Sequence, residues 1–130
     1  MLPRKAWINV TERCNNRCLW CYGQHSLSRT KTMPYWQVKT ILEQLEQIGC
    51  RGCIVIGGEP TLHPQIVEIF SYGRECGIEM SLVSNGRRFS NQAFCEDMIN
   101  AGLEDGKLTF SMSSSSKEDS EVLNGAPKSF

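Results

Sequence analysis

Residues 53–60 read Cys53-Ile54-Val55-Ile56-Gly57-Gly58-Glu59-Pro60. An apolar run stops there at a pair of glycines. Runs of this kind belong to strands covered on both faces, as in parallel sheets. Parallel neighbours need a crossover connection, usually a helix. The flanking sequence should therefore hold helices, with further strands beyond them.

Upstream, Pro34 opens a helix at its first position, where the missing N–H costs little. Val38, Ile41, Leu42, Leu45 and Ile48 fall at helical spacing, and Gly49 supplies the stop. Before that helix, Ala6–Thr11 reads as a short buried strand. Downstream, Pro64 starts a second helix carrying Ile66, Val67, Ile69 and Phe70, ending near Gly77. Ile78–Val83 is a third strand, closed by Ser84-Asn85-Gly86. Ser90 is the expected N-cap of a third helix, with Phe94, Met98 and Ala101 on one face and Gly102 at its end. Leu108, Phe110 and Met112 alternate in a fourth strand, Lys107–Met112. After the polar run Ser113–Ser116, a weak helix covers Lys117–Leu123, followed by Asn124-Gly125 and Pro127.

Strand then helix, repeating about every 30 residues, is the βαβ unit of a parallel α/β fold. Just past the strand ends lie a cysteine-rich loop, Gly57-Gly58-Glu59-Pro60, Ser84-Asn85-Gly86, and Ser111 with Ser113. In a parallel β/α barrel that is the face on which active sites form.

The loop after the first strand is Cys14-Asn15-Asn16-Arg17-Cys18-Leu19-Trp20-Cys21. Three thiolates cannot complete the four-cysteine shell of a cubane iron–sulfur cluster. An open coordination position distinguishes catalytic from structural metal sites. The competing reading is a structural Cys3His zinc site on Cys14, Cys18, Cys21 and His25, which would make the chain an interaction module without catalysis.

The 130 residues suit one domain, with 40% hydrophobic and 22% charged residues. Fourteen basic residues balance fourteen acidic ones, which argues against a nucleic-acid binder. No apolar run approaches the roughly 20 residues that cross a bilayer, and no signal peptide is visible behind Met1-Leu2-Pro3-Arg4-Lys5. The cysteines number seven; an odd count points to metal or redox chemistry in a reducing compartment, so a cytoplasmic location is expected.

Cys14-x3-Cys18-x2-Cys21, with Trp20 before the last cysteine, resembles the signature of the radical SAM (S-adenosylmethionine) family. Residues 57–64, Gly57 to Pro64, resemble that family's GGEP motif in its expected place after the second strand. The likeness continues through Ser84-Asn85-Gly86 and Asp119–Phe130, and so covers nearly the whole chain. The resemblance implies a TIM-like partial barrel and a [4Fe–4S] cluster on Cys14, Cys18 and Cys21. It implies that SAM chelates the iron lacking a cysteine, so that an external electron donor, acting through the cluster, cleaves the sulfonium. The 5′-deoxyadenosyl radical formed would remove a hydrogen atom from the substrate. The implied SAM contacts are Trp20 and Tyr22 beside the adenine, and Gly57, Gly58, Glu59 and Pro60 at the amino group. Ser84, Asn85, Ser111 and Ser113 complete the set. The family often carries Ser-x-Asp at the last pair; Ser113 replaces the acid here. The cysteine-loop wording is most similar to peptide and protein maturases or activating enzymes, which implies a peptide substrate.

The remaining candidates take blander readings. His63 sets a helix start. Cys50 and Cys53 are structural thiols on the face opposite the cluster, and Cys76 and Cys95 are packing residues. Arg87-Arg88 reads as a solvated pair, with anchoring of an acidic substrate as the alternative. Cores of the family resemble six βα units, whereas residues 1–130 supply about four, the N-terminal portion of such a core. The expectation is therefore a fragment of a longer enzyme, weakly active at best alone, whose open fourth strand invites self-association.

Overall fold

The computed structural model describes residues 4–23 and 29–129. Four parallel strands pair in chain order: β1 (Lys5–Asn9), β2 (Gly52–Ile56), β3 (Glu79–Ser84) and β4 (Leu108–Phe110). Helix α1 (Tyr35–Gln47) links β1 to β2, α2 (Ile66–Glu75) links β2 to β3, and α3 (Gln92–Asn100) links β3 to β4. Helix α4 (Lys117–Asn124) follows β4. The α/β organisation expected from the sequence is thus present.

Register explains where the core lies. Ile8 pairs with Val55, and Val55 with Leu82, so these side chains share one face. Val38 and Leu42 of α1, Ile69 and Phe70 of α2, and Met98 of α3 complete the core around them, each fully buried. Burial of a large apolar side chain contributes roughly 1.5–3 kcal/mol. Trp7, Ile54 and Ser81 form the corresponding row on the other face.

That second face departs from expectation. Cys53 and Val55 are buried, but Ile54 and Ile56 are only half-buried, and Trp7 is 63% exposed. The helices cover one side of the four-stranded sheet, and the other side stays partly open. Strand β4 is likewise shorter than expected. Leu108 and Phe110 keep their alternation but stay exposed at the sheet edge, and Met112 lies beyond the strand.

Helix ends differ in instructive ways. Pro34 caps α1 from outside, and Ile48 is exposed past its last turn. Gly49 and Gly77 take left-handed backbone (φ +74° and +67°) after α1 and α2, the usual glycine helix stop. Ser90 does not cap α3. It closes a 3-10 turn over Arg87–Ser90, while Asn91 accepts the Phe94 N–H at 3.1 Å. A carbonyl oxygen one position nearer the helix reaches the free N–H better. Another 3-10 turn, Pro60–Leu62, precedes α2, which therefore begins at Ile66, two residues past Pro64.

Candidate active site at the strand ends

The cysteine loop lacks regular structure and is held by contacts to distant segments. Gly58 N–H donates to Thr11 O and Glu59 N–H to Arg13 O, both at 2.7 Å. Arg17 N–H donates to Asn124 O at 2.7 Å and Leu19 N–H to Leu123 O at 3.0 Å. The loop is thus stitched to the turn after β2 on one side and to the end of α4 on the other.

The two glycines have a geometric reason. A Cβ on Gly57 would lie 2.6 Å from Thr11 O, and one on Gly58 2.5 Å from Arg13 O. Close approach of backbone to backbone, between this turn and the cysteine loop, is what excludes a side chain here.

Glu59 is 1% exposed. Its Oε1 accepts from Thr61 N–H (3.1 Å), Thr61 Oγ1 (2.6 Å) and Ser84 Oγ (2.8 Å). Its Oε2 accepts from Asn85 N–H at 2.7 Å. The carboxylate therefore ties the turn after β2 to the turn after β3. Asn85 Nδ2 in turn donates to Asn15 Oδ1 at 2.7 Å, so three loops share one polar network.

The three cysteine sulfurs are half-buried and unpaired. Burial pushes the Cys14 and Cys18 thiols up. For Cys14 the Asn16 N–H, which donates to its Sγ at 3.4 Å, opposes that rise, and the nearby Glu59 charge adds to it. Cys18 Sγ lies 3.5 Å from Asn124 Oδ1, which also accepts from Ser113 Oγ at 2.5 Å. Ser113 thus reaches the cysteine loop through Asn124.

A groove of about 940 Å³ opens between β4, α3 and α4, lined by Asn85, Phe89, Phe110, Ser111, Ser113 and Asn124 among others. Its size suits a small-molecule ligand. The structure brings Glu59, Pro60, Ser84 and Asn85 together beside the cysteine loop, and Ser111 and Ser113 to the groove. Trp20 and Tyr22, 50% and 79% exposed, do not line the groove.

The chemistry of the donor set fits a cubane. Cys14, Cys18 and Cys21 bring three soft sulfur donors to one short loop, the ligand type that iron–sulfur clusters take. Among the described residues no group of three or more His, Cys, Asp or Glu is placed to hold a metal ion. His25, the fourth ligand of the zinc reading, lies outside the described residues.

The family model for the Radical SAM superfamily matches residues 8–126. The chain belongs to that superfamily. Its members use a [4Fe–4S] cluster and SAM. The chain is 27% identical over 118 residues to a probable GTP 3′,8-cyclase of Pyrococcus abyssi, covering 91% of this chain and 37% of that protein. It is 28% identical over 133 residues to an AdoMet-dependent heme synthase of Methanosarcina barkeri, covering 98% and 36%. Among solved structures, Streptococcus suis SuiB bound to S-adenosylmethionine shares the fold with a TM-score of 0.80 at 18% identity, over 97% of this chain and 29% of SuiB. SuiB bound to its precursor peptide SuiA gives 0.77 at 19%, covering 97% and 28%. The radical SAM chain thus spans little more than a third of the length of these two curated relatives.

Several residues of the site went unread in the sequence. Arg87 is half-buried and Arg88 exposed, yet both side chains are engaged rather than free in solvent. Arg87 donates to Asn15 O, Asn16 Oδ1 and Pro127 O, while Arg88 donates to Thr61 O and stacks 4.1 Å from the Phe94 ring centroid. Asn124, buried beside Cys18, had only a turn signal. His63 is fully buried and structural: Nε2 meets Met33 O at 2.8 Å and Nδ1 accepts Gln65 N–H at 3.0 Å. That fixes the tautomer with the proton on Nε2. Cys50 and Cys53 are fully buried at the opposite ends of the strands, as expected.

Proposed function

We propose that this chain is the N-terminal, cluster- and SAM-binding portion of a radical SAM enzyme, with Cys14, Cys18 and Cys21 as the cluster ligands. The observation that carries this reading is the bonding of the three-cysteine loop directly into the Gly-Gly-Glu turn through Thr11 O and Arg13 O. A [4Fe–4S] cluster held by these cysteines would pass one electron to the sulfonium of bound SAM, giving methionine and a 5′-deoxyadenosyl radical that takes a hydrogen atom from substrate.

The chain's own residues bind and orient. Gly57, Gly58, Glu59 and Pro60 form the amino-group side of the SAM site. An ammonium needs acceptors, so the turn's carbonyl oxygens suit it, while its N–H groups already hold the cysteine loop. Glu59 adds negative charge from beneath and fixes Ser84 and Asn85. Ser111 and Ser113 face the ribose and carboxylate side, and Trp20 and Tyr22 shield the outer flank of the cluster and border the adenine.

We assign a peptide as substrate class. The cysteine-loop wording supports it, as does the fold shared with SuiB, which was solved with a precursor peptide. The electron donor is external, and a reducing, cytoplasmic setting suits half-buried free thiols. No helix among the described residues is long and apolar enough to cross a membrane.

The test is anaerobic incubation of the reconstituted chain with SAM and a strong reductant. The reading expects 5′-deoxyadenosine, at a low rate for the isolated chain. Iron-loaded wild type forming none, even when supplied with the remaining barrel strands of a relative, would overturn it.

A further inference from the structure

Arg87 stands just past the turn that ends β3, and its half-buried side chain reaches two distant segments. Nη1 donates to Asn15 O at 2.9 Å and to Asn16 Oδ1 at 3.0 Å. Nη2 donates to Pro127 O at 3.2 Å. Its own N–H donates to Asn85 Oδ1 at 3.1 Å, and Asn85 Nδ2 returns to Asn15 Oδ1. One guanidinium therefore joins the cysteine loop, the turn after β3 and the segment after α4.

The grip extends to a sulfur through one residue. Asn16 is 3% exposed, and its N–H donates to Cys14 Sγ at 3.4 Å. Its carbonyl accepts from Arg17 Nη1 (2.9 Å) and Arg29 Nη1 (3.1 Å), leaving the side-chain oxygen to Arg87. Whatever fixes Asn16 fixes the N–H that points at Cys14.

We propose that Arg87 is a positioning residue for the cluster: it holds Asn15 and Asn16 so that Cys14 presents its sulfur at a set angle toward the turns after β2 and β3. The inference rests on the cluster assignment above. A planar fork can serve acceptors on two sides at once. A lysine ammonium is a compact point charge and cannot span Asn15 O and Pro127 O together. Outer partners of metal ligands typically matter 10–100-fold in metal affinity or activity.

The experiment compares wild type, Arg87→Lys, Arg87→Ala and the control Arg88→Lys in two measurements. The first is amide hydrogen exchange of the metal-free chain. Exchange at residues 14–18 should quicken in both Arg87 variants, with β2 and β3 amides unchanged. The second is the rate of iron loss from the reconstituted chain to a chelator, expected to rise about tenfold in both Arg87 variants but not in the control. Failure of lysine to rescue separates the fork from mere positive charge. The proposal is overturned if Arg87→Lys matches wild type in both measurements, or if exchange quickens throughout the sheet, which marks a general loss of stability. A wild-type chain that takes up no iron sinks the cluster reading instead, and the exchange comparison still decides whether Arg87 clamps the loop.

Discussion

Glu59 Oε2 accepts the backbone N–H of Asn85 at 2.7 Å, so the turn after β2 carries the turn after β3. The other oxygen faces the backbone N–H of Thr61. A glutamine at this position must turn its NH2 toward one of these N–H groups, whichever way it flips. Glu59→Gln should therefore cost about 1–3 kcal/mol, the price of a buried unsatisfied donor. Urea unfolding of the metal-free chain checks this. A glutamine variant as stable as wild type would show that the carboxylate is not committed as described.

Gly58→Ala places a methyl 2.5 Å from Arg13 O and 2.6 Å from Glu12 O, both backbone atoms. The cysteine loop must move away, losing the bonds to Gly58 N–H and Glu59 N–H. We expect about 1–3 kcal/mol of destabilisation and a clear drop in iron bound after reconstitution. Gly52→Ala is the control: its nearest neighbour is the flexible Lys5 side chain at 3.0 Å, and iron uptake should be unchanged.

Burial, with a smaller contribution from Cys50, pushes the Cys53 thiol from 9.0 up to about 12. The folded chain then keeps a proton that the unfolded chain loses above pH 9. Stability from this residue is fully present below about pH 9 and falls as pH rises toward 12, by up to about 1.4 kcal/mol per pH unit. Comparing wild type with Cys53→Val by urea unfolding at about pH 8 and about pH 10.5 isolates the effect. The valine variant should lose less stability on going alkaline; equal losses would contradict the assignment.

Much of this was legible in the sequence because it is local. The run Cys53–Ile56 announced a strand, and Val38 with Leu42 announced the buried face of α1. Three cysteines within eight residues marked the loop that the fold seats against the Gly-Gly-Glu turn. What failed depends on contacts between segments distant in sequence. Arg87 and Arg88 look like an ordinary solvated pair until the cysteine loop and Thr61 are placed beside them. Asn124 looks like a turn residue until α4 ends against Cys18. Ser90 and Asn91 are both good caps, and only the path of the 3-10 turn chooses between them. The half-buried state of Ile54 and Ile56 depends on what packs on the second face of the sheet, which an apolar run cannot report.

The exposed edge of β4, with Leu108 and Phe110 open to solvent, predicts pairing between copies of the chain. Sedimentation should show concentration-dependent dimers, and Thr109→Lys, which sets a charge on that edge, should return the chain to monomer. A monodisperse wild-type monomer across the concentration series would contradict this.

The most direct measurement for the central claim is iron content with EPR after anaerobic reconstitution, in wild type and in the variant with Cys14, Cys18 and Cys21 all changed to alanine. Wild type should hold about four irons per chain, and its reduced spectrum should change when SAM is added. The alanine variant should hold none. Equal iron in both proteins, or a wild-type spectrum indifferent to SAM, would contradict the account.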